Sequence, residues 1–297
     1  MSQVGRAPSE NLGAGLTERD RRILRDIWLY RYLRTPQITR LHFGSQKLAQ
    51  RRMRRLVDSG VVERFRADDA VRAGFRTWCF RLSRKGARVV ASDEGLPSRG
   101  VIPSSRAPRR MRFLDHHSMT VDFRIWLREG CEDSRGRFGY RFIPSYEEVR
   151  EKGMRRRRVV FDIPRLKSHL VPDGVFVLET SDKRSSLFVL EIDRGTEPLT
   201  GSHPSAIERK LLLYRVGYES NSDAAYERLF GVKFSGFRVL CLVPDSHRAD
   251  GFLKLARRCD LQPLVWVGLD QVVRERGDLS KKWWQTEEDG SLRSLME

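Results

Sequence analysis

The hydrophobic period first changes near Val61: before it, apolar residues recur every three or four positions, and just after it come shorter runs that alternate, as strands do. In the first stretch, Thr17 and Asp20 stand as a helix N-cap and its third residue, ahead of a stripe through Ile23, Ile27, Leu29 and Tyr30. Thr35-Pro36 opens a second helix with proline at the first helical position and Ile38 and Leu41 facing inward. A third begins at Ser45 and ends at Gly60, with Leu48, Met53, Leu56 and Val57 as its expected buried side. Val61 to Phe65 and Arg76 to Leu82 then read as strands around a basic, glycine-containing tip, and Ser83 starts a short helix through Val90. Three helices followed by two strands predict a winged helix-turn-helix.

Asp93 to Arg110 holds Pro97, Pro103 and Pro108 among Gly, Ser and Arg and shows no apolar period, so it reads as a basic linker. Beyond it a helix is expected over Met111 to Glu129. Strands follow at Arg137 to Ile143, Val171 to Leu178, Leu187 to Ile192, Phe237 to Val243 and Leu264 to Val267, with helices at Ser205 to Tyr218 and Ala249 to Arg258. The predicted class is α/β (α+β), the second part forming a small α/β sandwich. The expected organisation is a flexible N-terminus (1–15), a winged-helix domain (16–92), the linker (93–110), the sandwich (111–275) and a tail (276–297). Trp283 and Trp284 in the tail mark either a docking patch or a return to the core.

Charge sharpens this picture. The net formal charge is +18, and residues 1–110 carry 25 Lys+Arg against 10 Asp+Glu, whereas residues 111–297 carry 32 against 29. A soluble basic module of that kind points to double-stranded DNA as partner. Lys47, Arg51, Arg52, Arg54 and Arg55 crowd the third helix, the natural recognition helix, and the stretch Arg66 to Arg76 forms the wing that contacts the neighbouring backbone. No apolar run reaches the roughly 18 residues of a membrane span, and Met1 to Gly15 lacks a secretory h-region, so a cytoplasmic location with no membrane partner is expected. Cys79, Cys131, Cys241 and Cys259 are scattered without a CxxC spacing and read as reduced structural thiols. No glycine-rich phosphate loop precedes a helix, so no nucleotide cofactor is indicated.

The candidate chemistry lies where Val171-Pro172-Asp173-Gly174 and Leu190-Glu191-Ile192-Asp193 flank the polar tip Thr180 to Ser186. With the turn centred near Lys183, Asp173 falls opposite Ile192 or Asp193, within roughly 5–8 Å of one or both acids. Glu191 and Asp193 share a strand face. Three such carboxylates are hard ligands suited to Mg²⁺ or Mn²⁺; the alternative is a strand end with solvated acids.

This order, with Pro172-Asp173 on one strand and Glu191-Ile192-Asp193 on the next, resembles the PD-(D/E)xK restriction-endonuclease-like core. With the N-terminal winged helix and the stretch His117 through Asp122, residues 15–275 resemble the replication-relaxation family of plasmids and mobile elements. The resemblance implies DNA binding linked to replication, mobilisation or regulation of the element, and replication or mobilisation proteins as partners. An active member would be a Mg²⁺-dependent endonuclease or nickase: Asp173 and Glu191, with Asp193, would hold Mg²⁺ or Mn²⁺, which lowers the pKa of bound water. A non-catalytic regulator, its second domain serving dimerisation or partner binding, is the other outcome. The motif's lysine position is occupied by Asp193, a departure from the pattern. Lys210, beside Ile207 and Tyr214 on the following helix, is placed to substitute for it, or is an ordinary surface lysine. Asp122 matches the acid often supplied by the first helix. His116 and His117 are adjacent and diverge around a helix, which argues against a relaxase of the two-histidine type. Arg155 to Arg158 read either as a phosphate-gripping run or as a solvated charged loop, and the same run could instead neutralise Glu147, Glu148 and Glu151. Winged-helix proteins commonly form homodimers, but no heptad repeat supplies a seam here.

Overall fold

A computed structural model describes residues 13–67, 78–97, 101, 111–151, 154–163, 166–199, 205–220, 224–262, 264–287 and 290–295. The fold is mixed α+β and divides into two units, residues 1–121 and 122–297.

In the first unit, α1 (Glu18–Tyr30) starts on a reciprocal capping box: Asp20 N–H donates to the Thr17 hydroxyl, and Thr17 N–H donates to the Asp20 carboxylate. A two-residue strand β1 (Leu33–Arg34) leads into α2 (Thr35–His42), and Ser45 caps α3 (Gln46–Asp58). Strands β2 (Val62–Phe65) and β3 (Cys79–Leu82) pair antiparallel, β3 lies centrally in the order β1-β3-β2, and α4 (Arg84–Asp93) follows. Ile23, Leu24, Ile27, Ile38, Ala49, Met53 and Leu56 are buried. Leu48 differs from expectation: it is 45% exposed, and Ala49 takes the inward position. The core direction on α3 is set by Ala49, Met53 and Leu56 at spacings of four and three, which turns Leu48 outward. Arg76 and most of the expected wing tip lie outside the described residues.

The division between units falls inside α5 (Met111–Asp133). Its first half belongs with the N-terminal unit: Asp115 accepts from Arg34 at 2.6 Å, the Gln37 amide donates to the carbonyl and hydroxyl of Ser118, and a His117 ring nitrogen meets the Tyr30 carbonyl at 2.9 Å. His117 therefore serves the end of α1.

The second unit is built on a seven-stranded mixed sheet. Its strands are β4 (Phe138–Pro144), β9 (Gly174–Thr180), β10 (Ser185–Ile192), β11 (Phe237–Val243), β12 (Val265–Leu269), β13 (Trp284–Gln285) and β14 (Leu292–Arg293), in spatial order β14-β13-β12-β11-β10-β9-β4. Pairs β4·β9 and β9·β10 are antiparallel, and β10·β11 and β11·β12 are parallel, with α6 (Ala206–Glu219) and α7 (Ala224–Phe230) crossing over first and α8 (Ser246–Arg258) second. Between β4 and β9 lie two small hairpins, β5 (Glu148–Glu151) with β6 (Met154–Arg157), and β7 (Phe161–Ile163) with β8 (Ser168–Leu170).

The period-2 rule assigns the faces of the sheet. Val175, Val177, Leu187, Val189, Val239 and Cys241 pack with residues of α6, α7 and α8. The alternate residues Phe176 and Phe188 stack on each other, and Phe176 meets Phe123 of α5. Trp284 is fully buried near Phe123, and Trp283 packs on Trp126, so the two tryptophans return to the core. All four cysteines are free and buried. Among the described residues no helix is long and apolar enough to cross a membrane.

Candidate functional site

The β9–β10 register decides which acids meet. Leu190 pairs with Gly174, so the next step along each strand brings Asp173 beside Glu191, one position short of the expected Ile192 and two short of Asp193. The slip originates at the tip. Thr180 N–H donates to the Arg184 carbonyl at 2.9 Å and Arg184 N–H to the Thr180 hydroxyl at 3.1 Å, closing a three-residue turn whose last residue, Lys183, adopts φ +65°. Two main-chain links then pin Asp173 to the strand carrying Glu191: its N–H donates to the Leu190 carbonyl at 3.0 Å, and its carboxylate accepts from Ile192 N–H at 2.9 Å.

Glu191 is buried on the helix-covered face, and its carboxylate accepts from Lys210 Nζ through one oxygen and from the Tyr214 hydroxyl through the other. The donors are four residues apart on α6, so one helix face delivers both. Burial pushes the Glu191 carboxyl up to about 7; the Lys210 ammonium pulls it down and the Asp173 charge pushes it further up. Burial acts to lower Lys210, but the charges of Glu191 and Asp173 outweigh it and leave its pKa raised, so Lys210 stays an ammonium. The Tyr214 and Tyr226 phenols are held well above their usual range, chiefly by burial. Burial also raises the Cys241 thiol, directly across the parallel pair from Glu191, which makes it no nucleophile.

Asp193 does not join this cluster. Arg248, near the start of α8, donates to it through Nε at 2.5 Å and Nη2 at 3.0 Å, and also donates to the Glu197 carbonyl at 2.6 Å. Such a bidentate pair, with both side chains nearly buried, ties up the carboxylate. Among the described residues no group of three or more Asp, Glu, His or Cys is placed to hold a metal ion. The expected three-acid set is thus reduced to Asp173 and Glu191 with Lys210 beside them. Both Glu191 oxygens are already taken by Lys210 and Tyr214, so the two carboxylates form no closed protein cage for a metal ion. Asp122 lies half-buried on α5, whose aromatic residues pack on the opposite sheet face.

The arginine run is largely strand β6 and not a loop, paired Glu148 to Arg157 and Arg150 to Arg155. Arg158, just after it, makes an ion pair with Glu147.

In the first unit, Lys47, Arg51, Arg54 and Arg55 are exposed on α3. Arg52 is not part of that surface. It donates to Asp20 of α1 through Nε at 2.5 Å and through Nη2, and the Asp20 side chain is fully buried. Burial pushes the Asp20 carboxyl up, but Arg52 and Thr17 outweigh it and hold it below the ordinary value. Arg66 lies over the Trp78 ring at 4.1 Å, and Arg64 over the same ring at 4.7 Å. Arg64 and Trp78 were not singled out from the sequence, although strand alternation around Phe80 places them on one face.

The family model described as replication-relaxation matches residues 24–232, which takes in α3, both acids and Lys210. No curated protein and no solved structure matches the chain.

Proposed function

The chain belongs to the replication-relaxation family, and from that premise we propose that it is a DNA-binding protein of a plasmid or other mobile element, acting in its replication, mobilisation or regulation. The first unit works as a winged helix-turn-helix, with α3 entering the major groove of duplex DNA. The observation that carries this reading is the exposed row Lys47, Arg51, Arg54 and Arg55 on a helix whose opposite side is buried. Neutralising phosphates releases counterions, so affinity for a duplex falls linearly in log–log form with salt, with a slope of about −0.9 per phosphate contacted. Fluorescence anisotropy of a labelled duplex titrated at several salt concentrations tests it; a chain with no salt-dependent duplex affinity is not a DNA-binding protein.

One observation favours a second, enzymatic reading: Asp173, Glu191 and Lys210, from two strands and a helix, converge on one point. In that reading Asp173 and Glu191 hold Mg²⁺ or Mn²⁺, which supplies an activated water and stabilises phosphoryl charge when bound. Lys210 orients groups at the phosphate, replacing the lysine that Asp193 displaces from the motif. Tyr214 fixes the Glu191 rotamer. Cleavage of supercoiled plasmid separates this reading from a non-catalytic regulator.

A further inference from the structure

Between α3 and the sheet formed by β2 and β3 runs a cleft of about 640 Å³. One wall is a single helical row, Gln46, Gln50 and Arg54, spaced four residues apart. The other wall is Arg64 and Trp78, and Phe80 lines the cleft between them on the same sheet face. Thr35 and Pro36, at the N-terminus of α2, close one part of the rim.

We propose that this cleft seats the sugar–phosphate backbone of one strand of duplex DNA, with the α3 face on one side of that strand and the wing on the other. The proposal rests on the duplex-binding reading of the first unit and adds where the strand runs and what holds it. The chemistry of the walls is that of an anion groove. The guanidiniums of Arg64 and Arg66 both lie over the Trp78 indole, at 4.7 and 4.1 Å. Stacking on the ring orders the guanidinium of Arg64, which is exposed and lines the cleft, for a bidentate phosphate contact. Arg54 faces it from α3, Gln46 and Gln50 add amide donors, and the positive end of the α2 dipole points the same way in charge. Asp58 also lines the cleft and repels phosphate, which sets the limit of the strand's path. Trp78 is then a positioning residue, ordering Arg64, which touches the backbone.

The test is anisotropy of the full-length chain with a labelled duplex over a salt series, comparing Arg64→Ala, Trp78→Ala, Trp78→Phe and Arg51→Ala with the wild type, each checked for an unchanged melting transition. Arg64→Ala is expected to weaken binding about tenfold and flatten the salt slope by about one, as loss of one charged phosphate contact requires. Trp78→Ala is expected to weaken binding with the slope unchanged, because the charges remain and only their order is lost, and Trp78→Phe to restore part of the affinity. If Arg51→Ala weakens binding while Arg64→Ala and Trp78→Ala bind like wild type, the strand does not run through the cleft and duplex binding by α3 stands. If the wild type shows no salt-dependent duplex affinity, the cleft assignment falls with the reading beneath it.

Discussion

Asp20 closes the capping box of α1 and, through both carboxylate oxygens, holds Arg52 of α3. Replacing it with alanine removes the carboxylate half of the capping box, while the Thr17 cap itself remains, and strips the Arg52 guanidinium of its carboxylate partner, a loss of roughly 3 kcal/mol in urea unfolding. Because the folded carboxyl is held below its unfolded value, the Asp20 contribution is complete above the unfolded pKa and disappears as pH falls through the folded one. Unfolding measured between about pH 5 and pH 2 should therefore show a shallower acid loss in Asp20→Asn than in the wild type; equal acid slopes would remove the pair from the account. The capping box was legible in the sequence because its partners are three residues apart. The Arg52 partnership was not, because nothing local distinguishes it from Arg51 or Arg55 on the same helix. Asp193 repeats the lesson: its fate is decided by Arg248, which lies 55 residues away and carries no motif. Lys210 was legible as a candidate through its place beside Ile207 and Tyr214, since helical spacing fixes which face a residue shares.

At the level of elements, α4 packs against the start of β2 so closely that only glycine fits at position 86. A Cβ there would lie 2.0 Å from the Val61 carbonyl oxygen, the same oxygen that accepts from Ser83 N–H. Gly86→Ala, which on an open helix surface gains up to about 1 kcal/mol, is expected here to cost about 2–3 kcal/mol through overpacking. Chemical denaturation of the two proteins checks the sign; a stabilised variant would mean that α4 can shift outward without loss. Apolar runs located β9, β10, β11 and β12 to within a few residues because those strands are buried on both faces, whereas β4 alternates exposed and half-buried residues over most of its length. The two hairpins between β4 and β9 escaped notice for the converse reason: Met154 to Arg157 is a polar strand with no apolar period, held by pairing with β5. The register of β9 and β10 was off by one residue because a three-residue turn with Lys183 in the left-handed region has no glycine to announce it. A one-residue slip changes which carboxylates face each other, and here it brings Asp173 to Glu191.

For the whole molecule, the uneven charge and the position of the acids assign different work to the two units. The excess of basic residues lies before Met111, while the carboxylates that would meet phosphate lie near a balanced charge. If duplex binding rests on the basic first unit, as proposed, it is indifferent to the fate of the acids, and substitutions at Asp173 and Glu191 should leave it intact. That independence makes a cleavage assay interpretable. Supercoiled plasmid incubated with Mg²⁺ or with Mn²⁺ should be nicked by the wild type if the Asp173–Glu191–Lys210 cluster is an active centre, and nicking should vanish in Asp173→Ala and Glu191→Ala under conditions where all three proteins still bind DNA. Arg248→Ala is the control that separates the cluster from its neighbour: it releases Asp193 without touching Asp173, Glu191 or Lys210. Nicking that survives Arg248→Ala and fails in the two acid variants places the chemistry on the two-carboxylate cluster. A wild type that binds duplex and nicks it with neither metal ion assigns the second unit to a regulator, in which the Lys210 ammonium offsets the Glu191 charge as a structural ion pair.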